Sequence, residues 1–122
     1  MKPLPTLRRQ QDLDRVFKLG RWRRLRAVAV GIWRRDDAAP TRVAYVAGKR
    51  IGTAVRRNRA RRRLREALRS FADEIAPGAD VVVAARDQTV DVDFQALTAA
   101  IRHALVSEGL VTDNKAEDQA RQ

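Results

Sequence analysis

Apolar residues recur along the chain with different periods, and each change of period marks an element. Leu13, Val16 and Phe17 stand at i, i+3 and i+4, which predicts a short helix over 10–19 with Gly20 as its stop. Ahead of it, Pro3 and Pro5 hold residues 1–8 extended. Over 25–34 the period shortens to two. Val28, Val30 and Ile32 fall on one face of a strand, and Ala27, Ala29, Gly31 and Trp33 on the other. Residues 35–41 have loop composition. The run 42–48, with Val43, Tyr45 and Val46, predicts a second strand joined to the first as an antiparallel hairpin.

Helical spacing returns after Gly52-Thr53, where the threonine hydroxyl is a candidate cap. Ala60, Leu64, Ala67, Leu68, Phe71 and Ile75 form one stripe, predicting a helix that runs to about Ile75 and stops before Pro77-Gly78. Val81-Val82-Val83-Ala84-Ala85 is apolar without alternation, the pattern of a strand covered on both faces and therefore central. Phe94, Leu97, Ile101, Ala104 and Leu105 predict a last helix over 94–109, capped by Asp93 and ended by Gly109. The polar residues 112–122 predict a disordered tail. The order predicts one α+β domain over 1–111 with a single layer of sheet, in which strands 42–48 and 80–86 pair in parallel across the long helix. Three strands read clearly; a fourth, if the sheet has one, would come from splitting 22–34.

Charge changes this picture more than composition does. The 122 residues carry a net charge of +11, from 22 Arg and 4 Lys against 15 acidic residues. Residues 1–69 hold +17 and residues 70–122 hold −6, so the first part of the chain faces a polyanion. Cysteine is absent and His103 is the one histidine, which excludes disulfides, thiolate metal sites and most imidazole chemistry. No apolar run is long enough to span a membrane and no signal peptide is visible, so the expected location is the cytoplasm.

The charge concentrates on the long helix. Between Arg56 and Arg69, eight of fourteen residues are Arg and one, Glu66, is acidic. Asn58, Arg62, Arg65 and Arg69 follow a 4, 3, 4 spacing and share a face roughly opposite the apolar stripe. A solvated basic face, a membrane-surface helix and a nucleic-acid surface compete for this row. Solubility does not require one sign of charge, and an interfacial helix needs an apolar face free for lipid, which this helix spends on the core. Nucleic acid therefore carries the most weight, since guanidinium groups fork onto phosphates and release counter-ions. A one-sheet domain without a neighbouring helix-turn-helix partner suits folded RNA better than DNA. Asp87, Asp91 and Asp93 are the best acidic cluster, but capping and turn roles account for them better than magnesium chemistry, so no catalytic or metal-binding residue is assigned.

The run Val55-Arg56-Arg57-Asn58-Arg59-Ala60-Arg61-Arg62-Arg63-Leu64-Arg65 resembles the Arg-Asn-Arg signature of the bacterial ribonuclease P protein subunit. Lys49-Arg50-Ile51-Gly52 is similar to the segment entering that signature, residues 12–21 to the family's first helix, and residues 79–86 to its last strand. The resemblance implies a four-stranded sheet with three helices in the order αβββαβα, and a left-handed crossover around the Arg helix. It implies a chain without catalytic residues or a cofactor of its own. The partners would be a catalytic RNA that uses magnesium and the 5′ leader of precursor tRNA. Arg57, Asn58, Arg59, Arg61, Arg62 and Arg65 match the signature that faces the catalytic RNA, and Arg69 continues the row. For the leader, Phe17 matches an aromatic of the first helix, while Leu13 stands where an aromatic is common. A groove between helix 10–19 and the sheet would use Phe17 as a stacking platform, with charge from Arg15, Lys18, Arg21, Arg23 and Lys49. Phe17 reads equally well as core, and Trp22 and Trp33 either stack on bases or cover the sheet. The alternative function is a general structured-RNA or ribosome-associated binder of similar fold.

Overall fold

The computed structural model describes residues 3–112. The elements are α1 (Gln10–Leu19), β1 (Arg21–Arg24), β2 (Val28–Arg34), β3 (Arg42–Val46), α2 (Ala54–Arg69), β4 (Ala79–Ala85) and α3 (Phe94–Ser107). Single 3-10 turns occupy Lys49–Ile51 and Ala72–Glu74. The four strands form one mixed sheet in the order β1-β2-β4-β3, giving the α+β architecture and the αβββαβα order expected.

The expected hairpin between residues 25–34 and 42–48 does not form. β4 lies between them, antiparallel to β2 and parallel to β3. Its own sequence explains the insertion: Val81, Val82 and Val83 are each at most 1% exposed, which only an interior strand covered on both faces allows. The 35–41 loop must then cross the end of β4, and Arg35 holds it there. Its guanidinium donates to the carbonyls of Ala79, Ala39 and Pro40 and pairs with Asp37 and Asp80. β2 pairs on its other side with β1, the fourth strand obtained by splitting 22–34. β1 is a sheet edge of four residues, three of them Arg, a composition that discourages further strand addition. Along the opposite edge the extended N-terminal segment covers β3, with Leu7 N–H donating to Val43 O and Val43 N–H to Pro5 O.

The two sheet faces are covered unequally. Val28, Val30, Ile32, Val43, Val81 and Val83 point into the main core, closed by Leu64 and Leu68 of α2 and Leu97, Ile101 and Leu105 of α3. Each of these five helical side chains is at most 2% exposed and stabilises the fold by ~1.5–3 kcal/mol through apolar burial. The other face carries α1 alone, seated through Val16 on Ala44 and Val82 with Leu13, Trp22 and Trp33 around it. Thr53 caps α2 by accepting from Arg56 N–H at 3.2 Å, and Asp93 caps α3 by accepting from Ala96 N–H at 3.2 Å. α2 ends at Arg69 rather than near Ile75. The apolar stripe continues because the 3-10 turn at Ala72–Glu74 keeps Phe71 and Ala72 buried; its period of three is close enough to 3.6 to prolong the pattern. The tail expected at 112–122 lies outside the described residues except for Thr112.

Candidate nucleic-acid interface

The arginines of α2 divide by direction. Ala60, Leu64, Ala67 and Leu68 are buried, while Asn58, Arg59, Arg62, Arg65 and Arg69 are exposed on the outer side. Arg57 and Arg61 are half-buried beside them, and Arg61 donates to Asn58 Oδ1. The Arg57 Nε is buried without a hydrogen-bond partner. Arg56 and Arg63 are seven residues apart, two helical turns, and both turn inward. Arg56 donates to Ile51 O and pairs with Asp91 at 3.1 Å. Arg63 donates to the carbonyls of Thr89, Val90 and Val92, pinning the β4–α3 connection.

Among the described residues, no ion pair neutralises the outer arginines. Among the described residues, the acidic C-terminal part spends its carboxylates elsewhere: Glu74 on Arg102, Glu108 on Arg21 and Arg23, Asp91 on Arg56. None of these carboxylates pairs with Arg57, Arg59, Arg62, Arg65 or Arg69. Arg65 also lies over the Tyr45 ring at 5.4 Å. Burial pushes the Tyr45 phenol up to about 12, against the opposing pull of Arg65 and Arg69.

A second basic surface lies on the opposite face of the sheet, beside α1. Phe17 is 50% exposed and stacks on Trp22 with centroids 5.3 Å apart. The indole of Trp22 lies over Gly31, and its Nε1–H donates to Val16 O at 3.2 Å. Lys18 and Lys49 are exposed. Leu13 is half-buried in the apolar contact under α1. Arg15 lies 4.7 Å over the Trp33 ring and pairs with Asp12, so Trp33 covers the sheet.

Arg21 and Arg23 do not join this groove. Strand alternation sends them to the other face, where both pair with Glu108 at 3.1 Å. The same alternation puts Arg24 with Trp22, its guanidinium 5.7 Å over the indole. The period-two signal in Arg21-Trp22-Arg23-Arg24 assigns all three arginines once the strand is taken to begin at Arg21. Beyond Arg24 an open depression of about 310 Å³ has an apolar floor of Ala29, Ile51 and Ala85, with Arg50, Arg86 and Asp87 around it. The aspartate cluster is dispersed, with Asp93 capping α3 and Asp91 on Arg56, which does not fit a magnesium centre.

Known proteins share this sequence pattern and this fold. The family model described as Ribonuclease P matches residues 1–108. The ribonuclease P protein component of Symbiobacterium thermophilum is 35% identical over 111 residues, covering 91% of this chain and 96% of that one. The ribonuclease P protein of Thermotoga maritima superposes with a TM-score of 0.71 at 27% identity, covering 82% of this chain and 94% of that one. The Staphylococcus aureus ribonuclease P protein shares the fold, with a TM-score of 0.75 at 22% identity over 88% of this chain and 97% of that one. By a match that spans the whole sheet and all three helices, the chain belongs to the ribonuclease P protein family.

Proposed function

We propose that this chain is the protein subunit of a ribonuclease P holoenzyme, in which it grips a catalytic RNA and the 5′ leader of precursor tRNA while the RNA removes the leader. The observation that carries this reading is the presence of two basic surfaces on opposite sides of one sheet, built differently. The α2 row of Arg57, Asn58, Arg59, Arg61, Arg62, Arg65 and Arg69 projects from a rigid helix, suited to the fixed phosphate spacing of a folded RNA. The α1 side offers an exposed ring, Phe17 on Trp22, with Lys18, Arg24 and Lys49 as charge, suited to unstacked bases of a single strand. Leu13 and Arg15 act one layer below, as the seat of α1.

The chain contributes no catalytic group in this reading. It raises affinity for leader-bearing substrate and neutralises phosphate repulsion, and the magnesium belongs to the RNA. Such a complex works in the cytoplasm, where tRNA precursors are made. Reconstitution with the cognate catalytic RNA tests it. The protein alone should leave precursor tRNA intact, while adding it to the RNA should lower the magnesium requirement and tighten binding of leader-bearing precursor. Cleavage by RNA-free protein would refute the assignment. Equal affinity for the catalytic RNA and an unrelated structured RNA of the same length would favour a general RNA binder.

A further inference from the structure

Only two side chains of α1, Asp12 and Val16, are buried. Val16 is apolar and fits its place; Asp12 is a carboxylate 6% exposed and needs a reason. The reason is a chain of charges crossing from the sheet to the helix. Asp80, fully buried in the central strand, receives Arg42 Nε and Nη2, both at 2.8 Å, and also Arg35. Asp80 thereby fixes the Arg42 guanidinium. Arg42 Nη1 then reaches Asp12 Oδ2 at 3.4 Å, and the other oxygen of Asp12 meets Arg15 Nη1 at 3.5 Å. Arg15 in turn lies on Trp33.

At its other end α1 is tied by Trp22 Nε1–H to Val16 O. Two tethers therefore set how the helix lies on the sheet: a polar one through Asp12 and an indole one through Trp22. Phe17 stands next to the Val16 tether and five residues from Asp12, or ~7.5 Å along the axis. Remove the polar tether and α1 pivots about Val16, moving Phe17 relative to Trp22. We propose that Asp12 is a positioning residue for leader binding: by bridging Arg42 and Arg15 it holds α1 at the tilt that gives the Phe17–Trp22 wall its place. This rests on the reading of that groove as the leader site.

The test uses the reconstituted holoenzyme and precursor tRNA with and without its leader. Asp12→Asn keeps the shape and removes the charge. It should weaken leader-bearing precursor roughly 2- to 150-fold, the span of coupling between contacting groups. Affinity for leaderless tRNA and for the catalytic RNA should stay as in the parent. The decisive measurement is a double-mutant cycle. In a Phe17→Ala background, Asp12→Asn should have no further effect on leader affinity, because there is no ring left to position. An undiminished effect there, or equal losses with and without a leader, would overturn the proposal and make Asp12 merely structural. Should Asp12→Asn fail to fold, Arg15→Met cuts the outer arm of the network, at a side chain 38% exposed, and the same cycle applies. A direct Arg15–leader contact would then give additive losses and count against the proposal. A parent holoenzyme indifferent to the leader would instead sink the reading of the groove itself.

Discussion

A Cβ at position 31 would sit 2.5 Å from Cε2 and Cζ2 of Trp22, so the glycine of β2 is what lets the indole lie flat on the sheet. Gly31→Ala should lift Trp22, cost ~1–3 kcal/mol of stability and weaken leader binding, read by thermal melting, indole fluorescence and leader affinity. Gly20 serves a similar end at the close of α1, where a Cβ would crowd the Val16 carbonyl oxygen. Tyr45 offers a residue-level test by pH. Its phenol ionises at about 12 in the folded chain against an ordinary 10, so the unfolded chain loses this proton first. The folded state then binds more protons, and stability should fall as pH rises from 10 towards 12. Absorbance of the phenolate should show the delayed ionisation, and Tyr45→Phe should remove this part of the alkaline loss. Helical spacing singled out Phe17 without choosing between core and surface. Burial made the choice, because α1 is seated by Val16 and Asp12 and leaves the ring half out.

Among the elements, α2 carries two kinds of arginine with opposite expected phenotypes. Neutralising Arg62 and Arg65 to Gln should leave melting almost unchanged and flatten the salt dependence of RNA affinity, by a log–log slope of about 0.7–0.9 for each phosphate that the row ceases to neutralise. An unchanged slope would mean that the row does not touch the RNA. Arg63→Met should do the reverse. It strips donors from the carbonyls of Thr89, Val90 and Val92, at ~1–3 kcal/mol for a buried acceptor left unsatisfied, and lowers the melting temperature with little change of slope. Leu64→Ala, at a fully buried position, should cost ~2–5 kcal/mol. The outward row was legible because a helix maps sequence spacing directly onto direction. The end of α2 was not, since a 3-10 turn continues the same apolar stripe.

Across the molecule, the sheet separates two surfaces, and separation has a measurable consequence. Substitutions on the α2 row should weaken the catalytic RNA without altering the preference for leader-bearing substrate, and Phe17→Ala should do the opposite. Combined, their effects on overall substrate affinity should add within about 0.5 kcal/mol, as distant sites do. Strong coupling would mean that both surfaces meet one RNA element.

The order of amino acids was enough to place the helical faces, the caps at Thr53 and Asp93, the interior run Val81–Val83 and the outward arginine row of α2. All of these are local, written in the period of apolar residues and in the chemistry of a few neighbouring groups. Folding in three dimensions settled which strands are neighbours, where β1 sends Arg21, Arg23 and Arg24, and that Asp12, Arg42 and Asp80 meet. Those facts depend on contacts between residues up to 87 positions apart, and no local period records such distances. The hairpin expectation failed for that reason. Pairing β2 with β3 satisfies two neighbours in sequence, but only inserting β4 between them buries a strand that has no polar face to show to water.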